Sequence, residues 1–522
     1  MSSGITLTNT TTAIAVAAGK TLTIASGATL DNQIDNVTFS AGSGSVQING
    51  TYKVSSYTGT AQLTFSGVTF ASGSTLYIGC PGAPRLPAAN GGNVVWASAA
   101  GGSFLNTNPT TITGNLTLTS ALVNALNNGS GNTVRVLTIG GNLIINGGVY
   151  NPQGGSGTGT QAVTVNGNVY LSGNGKLYAV NPLATGLGTV AIKGNVYIQS
   201  PTAVELSSGG LTGTLSLNGS SQQTISSDAA SGYSIDGLTV SNAAGVLVNS
   251  DLSAANITVS PSSVLNVAVE EQLTVSSVLT NNGTLNLNSG PSGTATILTG
   301  SVSGSGTANV QQYLTTGRNW YISSPVTGAT SATFSVTNPA NKLFWYDEVH
   351  GSTTSWPQIT DNATALTVMQ GYVANMSTDG SVTFSGTLNS GAQTINVSRT
   401  AGQTKEGFNL IGNPYASYLD WDAANTSGNS GLMTTIWYRM KNSGNAYVFD
   451  TYNASGQLGS SNNGAAVNNH IPPMQAFWVR VNNSLTTGSI SVDNTMRYHK
   501  GSQTTGLGTD MYQGLELPTP PE

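Results

Sequence analysis

Apolar and polar residues alternate along this chain in short bursts, each closed by Gly, Asn or Ser. Thr21-Leu22-Thr23-Ile24, Val46-Gln47-Ile48-Asn49-Gly50, Leu215-Ser216-Leu217-Asn218-Gly219, Leu238-Thr239-Val240 and Leu285-Asn286-Leu287-Asn288 all read this way. Side chains two apart share a face of an extended backbone, so each burst predicts a short strand with one apolar side. One burst returns at a fixed spacing. Gly114-Asn115-Leu116-Thr117-Leu118 recurs as Gly141-Asn142-Leu143-Ile144-Ile145, Gly167-Asn168-Val169-Tyr170-Leu171 and Gly194-Asn195-Val196-Tyr197-Ile198, at intervals of 27, 26 and 27 residues. Such a period predicts stacked copies of one small unit. Residues 1–310 are therefore expected to wind as a parallel β-solenoid of about a dozen coils, about 4.8 Å apart, with Val, Leu and Ile inside. Asn115, Asn142, Asn168 and Asn195 are the candidate ladder, their amides bonding along the stack. The Gly before each is expected to turn a corner at positive φ.

Two stretches break the rhythm. Cys80 to Phe104, with Pro81, Pro84 and Pro87 around Arg85, predicts a protruding loop carrying Trp96; Asn151 to Thr160 predicts a second. After about residue 310 the alternating runs lengthen and lose the period, as in Leu343-Phe344-Trp345-Tyr346 and Ala476-Phe477-Trp478-Val479. Trp96 alone precedes that point, while Trp320, Trp345, Trp356, Trp421, Trp437 and Trp478 follow it. The shift places a boundary near Gly304–Gln311, with an antiparallel β-sandwich over 311–500 and a linker or tail over 501–522. The fold class expected is thus all-β throughout.

Composition narrows the chemistry. Charged residues are only 7% of 522, and the net charge is −5. No basic cluster exists to displace counterions, so nucleic acid is not an expected partner. No apolar run is long enough to span a membrane as a helix. Cys80 is the single cysteine, expected as a buried thiol, and with three scattered histidines it makes no zinc site. Met1-Ser2-Ser3-Gly4 does not begin a signal peptide, which suits a cytoplasmic chain or a mature segment.

Several phrases resemble the large secreted surface proteins that Bacteroidetes export through the type IX system. They are Leu217 to Ser226 with Ile235 to Asn242, Gly306 to Leu314 with Trp320 to Val326, Gly407 to Tyr415 with Leu419 to Asp422, and Ile471 to Val479 with Asn494 to Arg497. The likeness covers roughly 215–500 in order and spacing; residues 1–214 match in style only. The resemblance implies an extracellular or outer-surface location, a Gly/Thr-rich solenoid, no established reaction, and a segment of a longer protein whose sorting domain is not seen here.

Candidate sites are few. Trp345, Tyr346 and Trp356, beside Asp347, Glu348 and His350, form the densest aromatic–polar patch, a chemistry suited to glycans; packing in the sandwich core is the competing reading. Asp420 and Asp422, read as one side of an extended segment, are candidate calcium ligands, against turn capping. Arg318, Lys405 and Arg497 are expected as surface charges. No catalytic residues are expected: Glu270 and Glu271, adjacent on a strand, face opposite ways and cannot act as a pair. The leading expectation is a non-enzymatic structural or adhesive surface protein, a stiff stalk with a terminal sandwich, whose partners are further copies, other surface proteins or glycans. A glycan-binding module or polysaccharide-degrading β-helix would be marked by a groove of Arg135, Lys176 or Lys193 with a carboxylate. An ice-binding protein would need Thr rows at one coil position, and Thr21/Thr23, Thr111/Thr113 and Thr117/Thr119 do not form one in the sequence.

Overall fold

The structure is a computed structural model. It describes every residue except 1–3, 11–13, 37, 106–108, 120–125, 129–133, 153–160, 179–187, 200–206, 209–210, 213, 229–232, 351–354, 442–446, 463–466, 501–512 and 515–522. The chain is a parallel β-solenoid followed by antiparallel sheets. It divides into two compact units, Met1–Ile257 and Thr258–Glu522.

In the first unit the stacked rungs pair in parallel, while Ser207–Ser208 and Leu211–Thr212 form a separate antiparallel pair. One face runs from Thr6–Asn9 to Val246–Val248, and a second includes Thr110–Ile112, Arg135–Ile139, Gln161–Val165 and Gly188–Ile192. The Gly-Asn pentads lie one above another: Leu116 pairs with Leu143, Leu143 with Val169, and Val169 with Val196. Their inward aliphatics are essentially inaccessible to solvent, forming the shared dry interior that fixes the register.

The stretch from Cys80 to Phe104 is not a protruding loop. Asn93–Trp96 is a rung, pairing with Thr75–Ile78 on one side and Leu116–Leu118 on the other. Trp96, Leu86, Phe104 and Leu105 are fully buried, and the Trp96 and Phe104 rings meet at 6.0 Å. Single bridges, Gln62 to Arg85 and Leu86 to Leu105, carry the irregular part of this coil. The prolines sit among those bridges, where a missing N–H breaks no ladder. Cys80 is buried, and burial pushes its thiol above the ordinary range. Of the second expected loop, residues 153–160 lie outside the described residues; Asn151 and Pro152 are buried.

The second unit opens with parallel strands: Val264–Val267, Thr284–Leu287 and Thr307–Leu314 in one sheet, and Gln272–Asn281 paired with Thr296–Ser303 in another. Thr307–Leu314 is shared. On one edge it pairs parallel with Thr284–Leu287, and on the other antiparallel with Gly380–Leu388. The composition shift near 304–311 therefore falls on a strand common to both kinds of sheet, inside one compact unit.

Beyond it, Phe408–Gly412, Ala476–Arg480 and Thr435–Lys441 form the middle of three layers. One side of this sheet (Ile411, Phe477, Val479, Ile436) packs on Val397, Ile490 and Val492. The other side (Phe408, Leu410, Trp478) packs on Tyr321, Tyr346 and Val373. Burial on both faces explains why Ala476-Phe477-Trp478-Val479 is continuously apolar. Among the described residues no helix is long and apolar enough to cross a membrane.

Candidate functional site

The four pentad asparagines bond along the stack, but not side chain to side chain. The Asn142 N–H donates to Asn115 Oδ1 (2.7 Å), the Asn168 N–H to Asn142 Oδ1 (2.8 Å), and the Asn195 N–H to Asn168 Oδ1 (2.8 Å). The run extends one rung each way. The Asn115 N–H donates to Asn93 Oδ1, and the Thr224 N–H to Asn195 Oδ1, both at 2.8 Å. Gly92-Asn93 was the signal for the extra member, hidden by a shorter interval of 22 residues. Each amide also serves its own rung in the upper coils. Asn168 Nδ2 donates to Tyr170 Oη (3.0 Å) and Asn195 Nδ2 to Tyr197 Oη (2.8 Å), and the two rings stack at 5.0 Å.

The glycines before these asparagines serve close approach, not a positive φ. None of Gly114, Gly141, Gly167 and Gly194 is among the positive-φ residues. A Cβ on each would lie under 3.0 Å from the Asn Oδ1 of the rung below. A side-chain ladder of the kind first expected does occur elsewhere. In the second unit Asn286 Nδ2 donates to Asn266 Oδ1 (2.8 Å), Asn309 Nδ2 to Asn286 Oδ1 (2.9 Å), and Ser385 Oγ to Asn309 Oδ1 (2.8 Å). That ladder crosses from parallel rungs into the antiparallel strand.

The outward positions are chemically mild. One column reads Tyr77, Val95, Thr117, Ile144, Tyr170 and Tyr197. On the second face Thr111, Thr138 and Thr164 stack in register as a single column. The column continues with Ala191, and its neighbour reads Val136, Ala162 and Thr189, so paired Thr rows do not form. Arg135 opens a strand of this face, Lys193 follows the end of another, Gly188–Ile192, and Lys176 belongs to a third face, so the three basic residues do not gather at one place.

The aromatic patch is largely interior. Tyr346 is buried, and its ring lies 5.1 Å from Trp356 and 4.8 Å from Trp478. Strand Lys342–Trp345 ends before Tyr346, so simple alternation does not set its direction. Trp345 and Trp356 are half-buried. Glu348 is buried too: Oε1 accepts from the Thr400 and Gly407 N–H groups (both 2.8 Å), and Oε2 from Thr400 Oγ1 (2.8 Å) and Ser398 Oγ (3.2 Å). It clasps a neighbouring turn and is not offered to a ligand.

Asp420 and Asp422 do not share one side of an extended segment, because Trp421–Ser427 is a helix. Asp420 is its N-cap, and its Oδ1 accepts from the N–H groups of Asp422 (2.8 Å) and Ala423 (3.3 Å) and from Asn469 Nδ2 (2.7 Å). Asp422 accepts from Tyr452 Oη (2.8 Å). Among the described residues no three acidic, His or Cys groups converge as metal ligands. Asp420→Ala is expected to cost about 1 kcal/mol, the usual worth of such a cap; calcium should not raise the midpoint of thermal unfolding in either protein.

Arg497 overturns its expectation as a surface charge. It is 7% exposed, and its guanidinium lies 4.6 Å from the centre of the Tyr415 ring. Nε donates to Ser417 Oγ (2.9 Å), Nη2 to the Ile297 carbonyl (2.8 Å), and Nη1 to Asn494 Oδ1 (2.8 Å) and Thr299 Oγ1 (3.4 Å). Burial lowers its pKa to about 10, still charged at neutral pH. Two residues on, buried His499 is hydrogen-bonded to Thr296 Oγ1 (2.7 Å) and Thr274 Oγ1 (3.0 Å). Burial, aided by the Arg497 charge, lowers its pKa from 6.5 to about 4. The unfolded chain therefore takes up this proton first. Stability from His499 is complete above about pH 6.5 and is lost as pH falls towards 4, by an amount on the order of 1–3 kcal/mol. Urea midpoints between pH 7.5 and 4.5 should show that loss, and His499→Asn should flatten it.

These features define a class: a β-solenoid whose last strand is fused to stacked antiparallel sheets and pinned there by buried polar side chains. A family model described as a domain of unknown function, DUF8693, matches residues 229–506. That is more than half of the sequence, and the chain belongs to this family. No curated protein and no solved structure matches it.

Proposed function

We propose that this chain is a structural and adhesive protein of the outer cell surface, without enzymatic activity, acting as a stiff stalk in the manner of the type IX surface proteins it resembles. The single observation that carries the reading is the run of hydrogen bonds from Asn93 to Thr224, which locks successive rungs to one another outside the core. A stack held by both its interior and its outer amides resists shear between rungs, as a stalk requires. Asp31, one of the few carboxylates here, is taken up by Lys53 (3.5 Å) and Ser55, which also favours scaffold over catalysis.

Association with further copies is expected at Thr6–Asn9, the last strand of its sheet among the described residues, where Ile5 and Leu7 are exposed. The outer edge of Thr307–Leu314 is already occupied by Gly380–Leu388. The reading is tested with the full chain by sedimentation over a wide concentration range, adhesion to cells and immobilised glycans, and reducing-end release from a polysaccharide panel. Self-association or adhesion without release is the expected result. A monomer that adheres to nothing, or any sustained release of reducing ends, would overturn it.

A further inference from the structure

A cleft of about 90 Å³ opens within the second unit, its lining combining Tyr418, Pro472 and Pro473 with Glu270, Gln272, Gln312 and Lys500. That volume holds about six waters, comparable to one sugar ring. Tyr418 and both prolines are buried, and Tyr418 stacks on Tyr498 at 6.1 Å. Glu270 is held at φ 70°, a left-handed conformation that costs a non-glycine residue energy. Its side chain lies over Gly293, where a Cβ would come within 2.8 Å of Glu270 Cγ. Gln272 Nε2 donates to the Lys500 carbonyl (2.8 Å), tying these two lining residues together, and Gln312 Oε1 accepts from Thr294 Oγ1 (3.2 Å).

We infer that this cleft binds a single uncharged pyranose residue of a glycan. Tyrosine and proline edges supply apolar surface for the C–H groups of the ring, and the carboxylate and carboxamide groups of the same lining take hydroxyls. The two charges bordering the cleft are of opposite sign, and neither the Glu270 carboxylate nor the Lys500 ammonium is paired among the described residues. Together they cancel, which disfavours a net-charged ligand. A sugar hydroxyl meets both needs, donating to the carboxylate and accepting from the ammonium. The Ile471-Pro472-Pro473-Met474 phrase gains a role here, since its prolines supply apolar lining.

The inference rests on the adhesive reading only for its use at the cell surface; sugar binding itself is independent of it. The test is saturation-transfer NMR on the full chain with methyl glycosides of glucose, galactose, mannose and N-acetylglucosamine, beside glucuronate and glucosamine as charged controls. At least one neutral glycoside should receive saturation. Glu270→Gln with Lys500→Ala should weaken its binding tenfold or more, and Trp356→Ala should leave it unchanged. Glu270 and Lys500 are both exposed, so the double variant should keep the wild-type unfolding midpoint, which is measured alongside. The inference fails if no neutral glycoside binds, if only charged sugars do, or if the double variant binds as wild type. Adhesion without glycoside binding sinks the cleft alone, and glycoside binding without adhesion sinks the surface role alone.

Discussion

Replacing Arg497 with Met should destabilise the second unit by roughly 3–5 kcal/mol, the cost of breaking a buried polar network from one side. Met fills similar volume, so cavity formation is not the main loss. What remains behind decides the size. The Ile297 carbonyl, Ser417 Oγ and Asn494 Oδ1 each lose an Arg497 donor, and an unmet buried polar group costs about 1–3 kcal/mol. The stacked contact with Tyr415 adds to this. Arg497→Lys should recover little, because one ammonium on a shorter stem cannot reach partners spread around a planar fork. Urea unfolding followed by tryptophan fluorescence is the measurement, since six of the seven tryptophans lie beyond residue 310. A loss below about 1 kcal/mol would mean that the fork is not needed to fasten strand Thr296–Ser303 to the antiparallel sheets.

Gly141→Ala provides the second test, because two accounts of this glycine predict opposite signs. Where a glycine has an ordinary φ and open space around it, alanine stabilises by about 0.4–1 kcal/mol through the unfolded chain. Here the new methyl would meet Asn115 Oδ1 and the Gly114 backbone, and overpacking of this kind costs about 1–3 kcal/mol. Gly141→Val should cost more still, and should expose the amides of neighbouring rungs to hydrogen exchange. Asn142→Asp keeps the acceptor for the Asn168 N–H and should be milder than Asn142→Leu, which removes it. A stabilised Gly141→Ala protein would remove the close-approach account.

The solenoid was legible because its repeat is local: Gly, Asn and alternating aliphatics fall within five residues, and the interval between copies is nearly constant. The role of the glycine was not legible, since it depends on an oxygen about 26 residues away in sequence. The coil around Trp96 was misread because three prolines in a short span carry the same signature in a surface loop and in a rung closed by isolated bridges. Arg497 could not be read at all. Its partners Ser417, Thr299 and Ile297 lie 80, 198 and 200 positions away, and nothing near it in sequence indicates burial. Tyr346 and Asp422 show a related limit, since alternation assumes a strand that in one case has just ended and in the other gives way to a helix.

The amide ladder has a direction: each asparagine receives from the coil that follows and gives to the coil before. Any coil bearing Gly-Asn at the same corner presents identical valences above and below, so it is interchangeable with its neighbours. Excising residues 141–166 would bring Gly114-Asn115 directly beneath Gly167-Asn168 with donor and acceptor still matched. Length in this molecule is therefore a quantised variable. Gene duplication or loss can lengthen or shorten it by whole units of about 4.8 Å, with no new junction to invent.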